Sequence, residues 1–474
     1  MKISHSGVKT SLRTWPIPRQ TRTLGVVTLF EVLPSLPHGL KPHLDRAIWP
    51  LSASVDEQGR LCVGGVAATD IAAEFGTPTY VVDEEDFRAR IRCYRAALPD
   101  VELVYGGMAL LSAAVAGWAA AEAAGVAVCS GGELATVLAG EVPASRIILH
   151  GNAKTPGELH DAAAAGVGRV VIDSPSEIAI LAARVRRRQR VLVRVIPDID
   201  TDRKFGFALA GGQAAGAVKR VLDQPCLDLV GLHCQLGSQL TDPGLYGEAI
   251  RQMIAVMAQV RDRHQVVLTE LNLGGGAAVP YRSGDPEFDL RALAATIDAA
   301  LRSACAEYKY PRPEIVIEPG RAIAARAGTT LYRVIAVKRQ PGERTFVAVD
   351  GGLGDNPRAA LRGAKYTVAL ANRHRATATA PATVVGRHGE AGDEIARDID
   401  LPTDIRPGDL LAVACTGAYH HSMGSSRNLE GRPALVAVAD GQSRELVRRE
   451  TVADLLARDR GWPGHPHPGS ATAS

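Results

Sequence analysis

The chain has 474 residues, 46% of them hydrophobic and 22% charged, the composition of a soluble globular protein long enough for two or three domains. Its 54 Lys and Arg almost balance its 51 Asp and Glu, leaving +3, which excludes a nucleic-acid binder built on a basic face. No apolar run approaches the ~20 residues of a membrane helix. Seven scattered cysteines without a CxxC pair point to reduced thiols in the cytoplasm rather than a disulfide framework.

Residues 1–45 are basic and lack a clean apolar stretch ahead of a small-residue cleavage site, so they read as a flexible extension and not as a signal peptide. Residues 46–82 hold two β-like runs, "RLCVGGV" and "TPTYVVD", placed to join a later β domain. Residues 83–325 then carry eight β-rich runs: VELVY (101–105), VAVCS (126–130), RIILHGN (146–152), RVVIDS (169–174), RVLVRVI (190–196), DLVGLHC (228–234), ELNLGGG (270–276) and EIVIEPG (314–320). Ala/Leu/Arg-rich segments of helical period separate them. This alternation predicts a (β/α)8 TIM-like barrel, whose polar and glycine-rich strand ends would line an active-site mouth. Residues 326–460 contain six further short β runs split by turn residues, a C-terminal β domain of sandwich or barrel type. The tail, 461–474, is Pro/Gly/Ser-rich and predicted disordered.

Several of these stretches together resemble the diaminopimelate decarboxylases of the alanine-racemase-like group of pyridoxal 5′-phosphate (PLP) enzymes. They include "CSGGELATVLAG", "ILHGNAK", "GLHCQLGSQLTD", "LNLGGG", "IEPGRAI", "VDGGLGDNPRAALRGAKYTVALANR" and "CTGAYHHSM", and the likeness runs from about Ile48 to Leu456. It implies a PLP-binding barrel, an amino-acid ligand and a homodimer with shared active sites, binding neither nucleic acid nor membrane. It further implies that Glu318 faces the pyridine nitrogen, and that Gly237, Ser238, Gly274, Gly275, Gly276, Pro319, Gly320 and Arg321 form a phosphate cup. Tyr419 would reach the phosphate or the substrate. Arg358 would take a substrate carboxylate and Glu390 the distal amine. An isolated GGG would read as a tight turn; GSQ and EPGR at neighbouring strand ends make an anion site the better reading.

The sequence departs from the family pattern where the chemistry lies. The family's Tyr-Ala-x-Lys-Ala, whose lysine forms the Schiff base, reads Tyr105-Gly106-Gly107-Met108-Ala109. The stacking histidine of His-Ile-Gly-Ser is Gln235, and the donor cysteine before Glu390 is Gly389. The tyrosine of Ala-Leu-Tyr-Gly is Arg362, and "IPDIDTDRKFG" is shorter than the family's loop. Lys154 is an unsuitable replacement, because the family carries a lysine there as well. Two readings fit: a repurposed pocket with PLP held non-covalently, or an inactive paralogue serving as a dimer partner or ligand-binding protein. A weaker third takes Met108 with His420 and His421 as ligands of another cofactor such as haem; against it, the two histidines read as solvated loop residues and no metal-spacing motif is present.

Overall fold

The computed structural model describes residues 44–199, 204–339, 344–375, 378–459 and 461. The expected N-terminal extension and the tail therefore lie outside the described residues, apart from residues 44, 45 and 461. Among the described residues no helix is long and apolar enough to cross a membrane.

Eight parallel strands close on themselves. They are β1 Val101–Gly106, β2 Gly125–Val128, β3 Ile147–Leu149, β4 Arg169–Ile172, β5 Gln189–Ile196, β6 Leu227–His233, β7 Glu270–Asn272 and β8 Glu314–Ile317. Each pairs with the next, and Ile315 of β8 pairs with Val101 of β1 to complete the ring. Side chains alternate in and out along a strand, so one residue from most strands meets at the axis. Val104, Ala127, Ile148, Val171, Leu192, Val230 and Val316 form this plug, all buried, and Met108 packs on it.

The helices begin where polar strand ends supply caps. Ser130, Thr155 and Ser174 each accept a backbone N–H three residues on, which satisfies one orphan donor of the following helix. Thr155 and Glu158 complete a capping box. Short, capped turns of this kind hold the strand ends of one rim in a fixed frame.

The C-terminal sheet is centred on Gly328–Arg339, which pairs antiparallel with Thr345–Val349, Leu410–Ala414 and Thr79–Asp83. Ala434–Ala439 runs parallel to Thr79–Asp83 on its other side. Of the two runs before the barrel, "TPTYVVD" thus sits inside this sheet, while "RLCVGGV" builds a separate three-stranded sheet from Ser54–Val55, Leu61–Val63 and Val66–Ala67. Two strands, Val368–Leu370 and Glu394–Pro402, were not among the six predicted runs. The second reads "EIARDIDLP": four of its nine residues are charged, and it lies at one end of the sheet with several of them exposed, so its apolar alternation is weak. Barrel and sheet share one hydrophobic core.

Candidate active site

The strand ends surround a cavity of about 480 Å³. Its floor is the carboxylate of Glu318, the first residue after β8. One oxygen, Oε1, accepts from His150 Nε2 at 2.8 Å and from Asn272 Nδ2 at 2.7 Å. The other, Oε2, lies 3.8 Å from His233 Nε2. Burial alone would push this carboxyl up, but the His150 imidazole hydrogen-bonded to it more than offsets burial and holds it well below the usual carboxylate range. Among the described residues, none hydrogen-bonds either ring nitrogen of His233, which is 1% exposed, and burial pushes it down to about 4, so it is neutral at pH 7. His150, His233 and Glu318 place three ligand-type atoms within 4.8 Å of one another. The sequence shows no metal spacing because these residues come from three separate strand ends.

One wall is a basic, glycine-rich cup. Arg321 Nη1 donates to Tyr281 Oη at 2.7 Å and Nη2 to Ser238 Oγ at 3.1 Å, and the guanidinium lies 4.8 Å from the ring centre of Tyr419. Gly237 (φ +143°) and Gly276 (φ +121°) require glycine: a Cβ on Gly276 would stand 2.7 Å from the Gly237 carbonyl oxygen. The Gln235 carboxamide spans the cup, accepting from Gly275 N at 3.0 Å and donating to Gly237 O at 2.8 Å. Gly274 lies beneath, its N–H on Asn272 Oδ1 at 2.9 Å. Pro319 and Gly320 line the cavity with Arg321.

The turn after β1 abuts the Pro319–Gly320 segment, with Gly106 N donating to Pro319 O at 3.2 Å. Met108 lies in a single 3-10 turn, Gly107–Ala109, with its thioether sulfur 3.7 Å from the Cys129 thiol. Burial pushes that thiol up to about 12, so it stays protonated. Tyr419, at φ +62°, donates its backbone N–H to Ala109 O at 2.8 Å and fastens the C-terminal domain to this turn. Lys154 also reaches the cavity wall, but its ammonium is engaged by Gly151 O at 2.6 Å, Val171 O at 2.8 Å and Glu177 Oε2 at 3.0 Å, which accounts for all three donors.

Other expected residues stand apart. Arg358 stacks on Tyr419, 5.5 Å from the ring centre, outside the cavity lining. Arg362 and Gly389 are exposed, and Glu390 is exposed and paired with Arg427. His420 and His421 do not line the cavity. Nor are they the solvated pair expected: His420 is fully buried against the Tyr366 ring, with Nδ1 2.9 Å from Ala418 O, and His421 packs edge-on to Tyr80. Met108 and these histidines therefore do not converge on one cofactor site. The sequence reading missed Asn272, Tyr281 and the pairing of His150 with Glu318; the polar ends of "RIILHGN" and "ELNLGGG" were the available signal for two of them.

The sequence profile of the pyridoxal-dependent decarboxylases, pyridoxal binding domain, matches residues 84–325. A diaminopimelate decarboxylase from Actinosynnema pretiosum subsp. auranticum is 51% identical over 444 residues, covering 91% of this chain and 100% of that one. The chain belongs to the diaminopimelate decarboxylase family. A second diaminopimelate decarboxylase, from Mycobacterium tuberculosis, is 41% identical over 438 residues, covering 88% and 98%. The solved diaminopimelate decarboxylase of M. jannaschii in co-complex with L-lysine superimposes with a TM-score of 0.81 at 28% identity, covering 86% of this chain and 98% of that one. In this diaminopimelate decarboxylase family member the residues present fit PLP at two ends: a basic glycine cup for a phosphate and an ionised Glu318 for a protonated ring nitrogen.

Proposed function

We propose that this protein is a divergent family member that holds PLP non-covalently, binds or acts on an amino acid through that site, and is not an efficient diaminopimelate decarboxylase. One observation carries this reading: the residue presented by the strand-one turn is a thioether, which has no proton to move and cannot form an imine. Lys154 offers no substitute, since its ammonium is spent on three buried acceptors.

When bound, PLP supplies an electron sink for charge developing on a substrate amino acid. The chain's own part is as follows. Arg321 and Ser238 would bind the phosphate, and the ionised Glu318 would accept from a protonated ring nitrogen. Tyr419 closes the wall beside Arg321. Arg358, Arg362 and Glu390 are suited to substrate carboxylates and amines; Arg358 meets the lining only through Tyr419, and Arg362 and Glu390 are exposed away from it, which favours a homodimer in which a second chain completes the site.

The test is borohydride reduction with PLP followed by mass spectrometry, alongside carbon dioxide release from diaminopimelate. We expect no lysine labelled at high occupancy and turnover far below that of a decarboxylase. Binding with no release at all would assign a ligand-binding protein. Stoichiometric labelling of Lys154, or release at rates normal for a decarboxylase, would overturn the proposal.

A further inference from the structure

We infer that this cavity recognises the phosphate and the ring nitrogen of a vitamin B6 5′-phosphate and is indifferent to the group at C4′, so that pyridoxal, pyridoxamine and pyridoxine 5′-phosphates bind alike. The inference rests on the non-covalent reading above and asks what such a site selects. Its two polar ends are fixed by charge: Arg321 with Ser238 at one, Glu318 at the other. The end at the strand-one turn, where the resemblance places the residue that meets C4′, is lined by the Met108 thioether and the Cys129 thiol, both uncharged. Two cations, Lys154 and Arg194, also line the cavity, but the Lys154 ammonium is held by Gly151 O, Val171 O and Glu177, and Arg194 lies 3.7 Å from Asp173, so each charge is already balanced by protein groups. Discrimination needs a contact that differs between ligands, and the two side chains of the strand-one end, Met108 and Cys129, supply no charge with which to make one.

The lost covalent anchor puts more weight on the phosphate cup, and the cup is stitched across. Gln235 ties Gly275 of one loop to Gly237 of the other. A second stitch follows, with Val279 N on Gln239 Oε1 and Gln239 Nε2 on Val279 O, each at 3.0 Å, and Leu240 N on Gly276 O at 2.9 Å. Loops already held in place lose little further freedom when a ligand arrives. Gln235 is thus a positioning residue for the phosphate donors. A histidine at this position has no carboxamide with which to make the same two-sided bridge.

The test is calorimetric titration of the ligand-free full chain with the three 5′-phosphates and with pyridoxal. We expect the three phosphates within about threefold of one another, and pyridoxal roughly 100-fold weaker for want of charge-assisted bonds to the cup. Gln235→Ala should weaken all three phosphates about tenfold, the scale of one to two hydrogen bonds, without altering pyridoxal. Gln235→Glu, unable to donate to Gly237 O and negative beside the phosphate, should weaken them further, with Tm followed in each variant to show that it is folded. Met108→Lys should restore a preference for the aldehyde. Pyridoxal 5′-phosphate binding more than about 30-fold tighter than pyridoxamine 5′-phosphate to the wild type would overturn the inference while leaving non-covalent binding intact. No binding of any of the three would overturn the non-covalent reading itself.

Discussion

At the scale of single residues, the proposed reading assigns Arg321, Ser238 and Glu318 to holding the ligand and leaves the proton-moving positions empty. Met108 and Gly389 stand where the family resemblance places a proton shuttle and a proton donor. A positioned general acid contributes about 100- to 10,000-fold. Met108→Lys alone should therefore leave decarboxylation of diaminopimelate poor, and Met108→Lys with Gln235→His and Gly389→Cys should exceed the sum of the single repairs. Carbon dioxide release by the single and triple variants measures this. His420 allows a separate test. Burial pushes its imidazole down to about 3. The unfolded imidazole takes its proton near 6.5, so between those values acid favours the unfolded chain. His420→Gln removes that titration, and its stability should fall less than that of wild type between pH 6.5 and 5, by about 2 kcal/mol; equal slopes of Tm against pH would refute it. Ser238, Glu318 and Arg321 were legible because each sits in a short motif at a predicted strand end. The burial of His420 was not legible, because a run of small and polar residues around two histidines reads as solvent-exposed loop. The His150–His233–Glu318 cluster was not legible either, since its members lie on three strands and share no spacing.

At the scale of elements, all eight barrel strands fall on the eight β-rich runs, and the reason is physical. A strand buried on both faces must be apolar throughout, and a turn that caps a helix must be polar, so the boundary is written in composition. Pairing across long distance is not written there, which is why Glu394–Pro402 and the separate sheet formed by "RLCVGGV" needed the structure, although "TPTYVVD" joined the later sheet as expected. The loops after β6 and β7 are the elements on which binding depends. Gly276→Ala puts a Cβ against the Gly237 carbonyl at a backbone angle that side chains rarely adopt. We expect it to abolish PLP binding and to lower stability by about 1–3 kcal/mol. A variant that binds as well as wild type would show the cup to be more yielding than this geometry implies.

At the scale of the whole molecule, the parts that stand away from the cavity lie near exposed apolar side chains. Leu361 precedes Arg362, and Leu429 is close in sequence to Arg427, the partner of Glu390; they are 63% and 76% exposed. In the proposed shared site, a second copy of the chain would cover these two exposed side chains. Light scattering at micromolar concentration should give twice the chain mass, and a monomer there would remove the basis for a shared site.

The seat of Thr79–Asp83 in the middle of the C-terminal sheet has a bearing on how the chain is made. This strand leaves the ribosome before the barrel, yet its partners, Gly328–Arg339 and Ala434–Ala439, leave after it. At roughly 5–20 residues per second, it stays unpaired on both edges for many seconds of synthesis. An apolar strand with two open edges is a template for self-association. A message cut short after residue 327 should therefore yield aggregate and not a free barrel, and supplying residues 328–474 as a separate chain in the same cell should recover soluble protein. Birth order and fold order differ in this protein, and segments made late protect one made early.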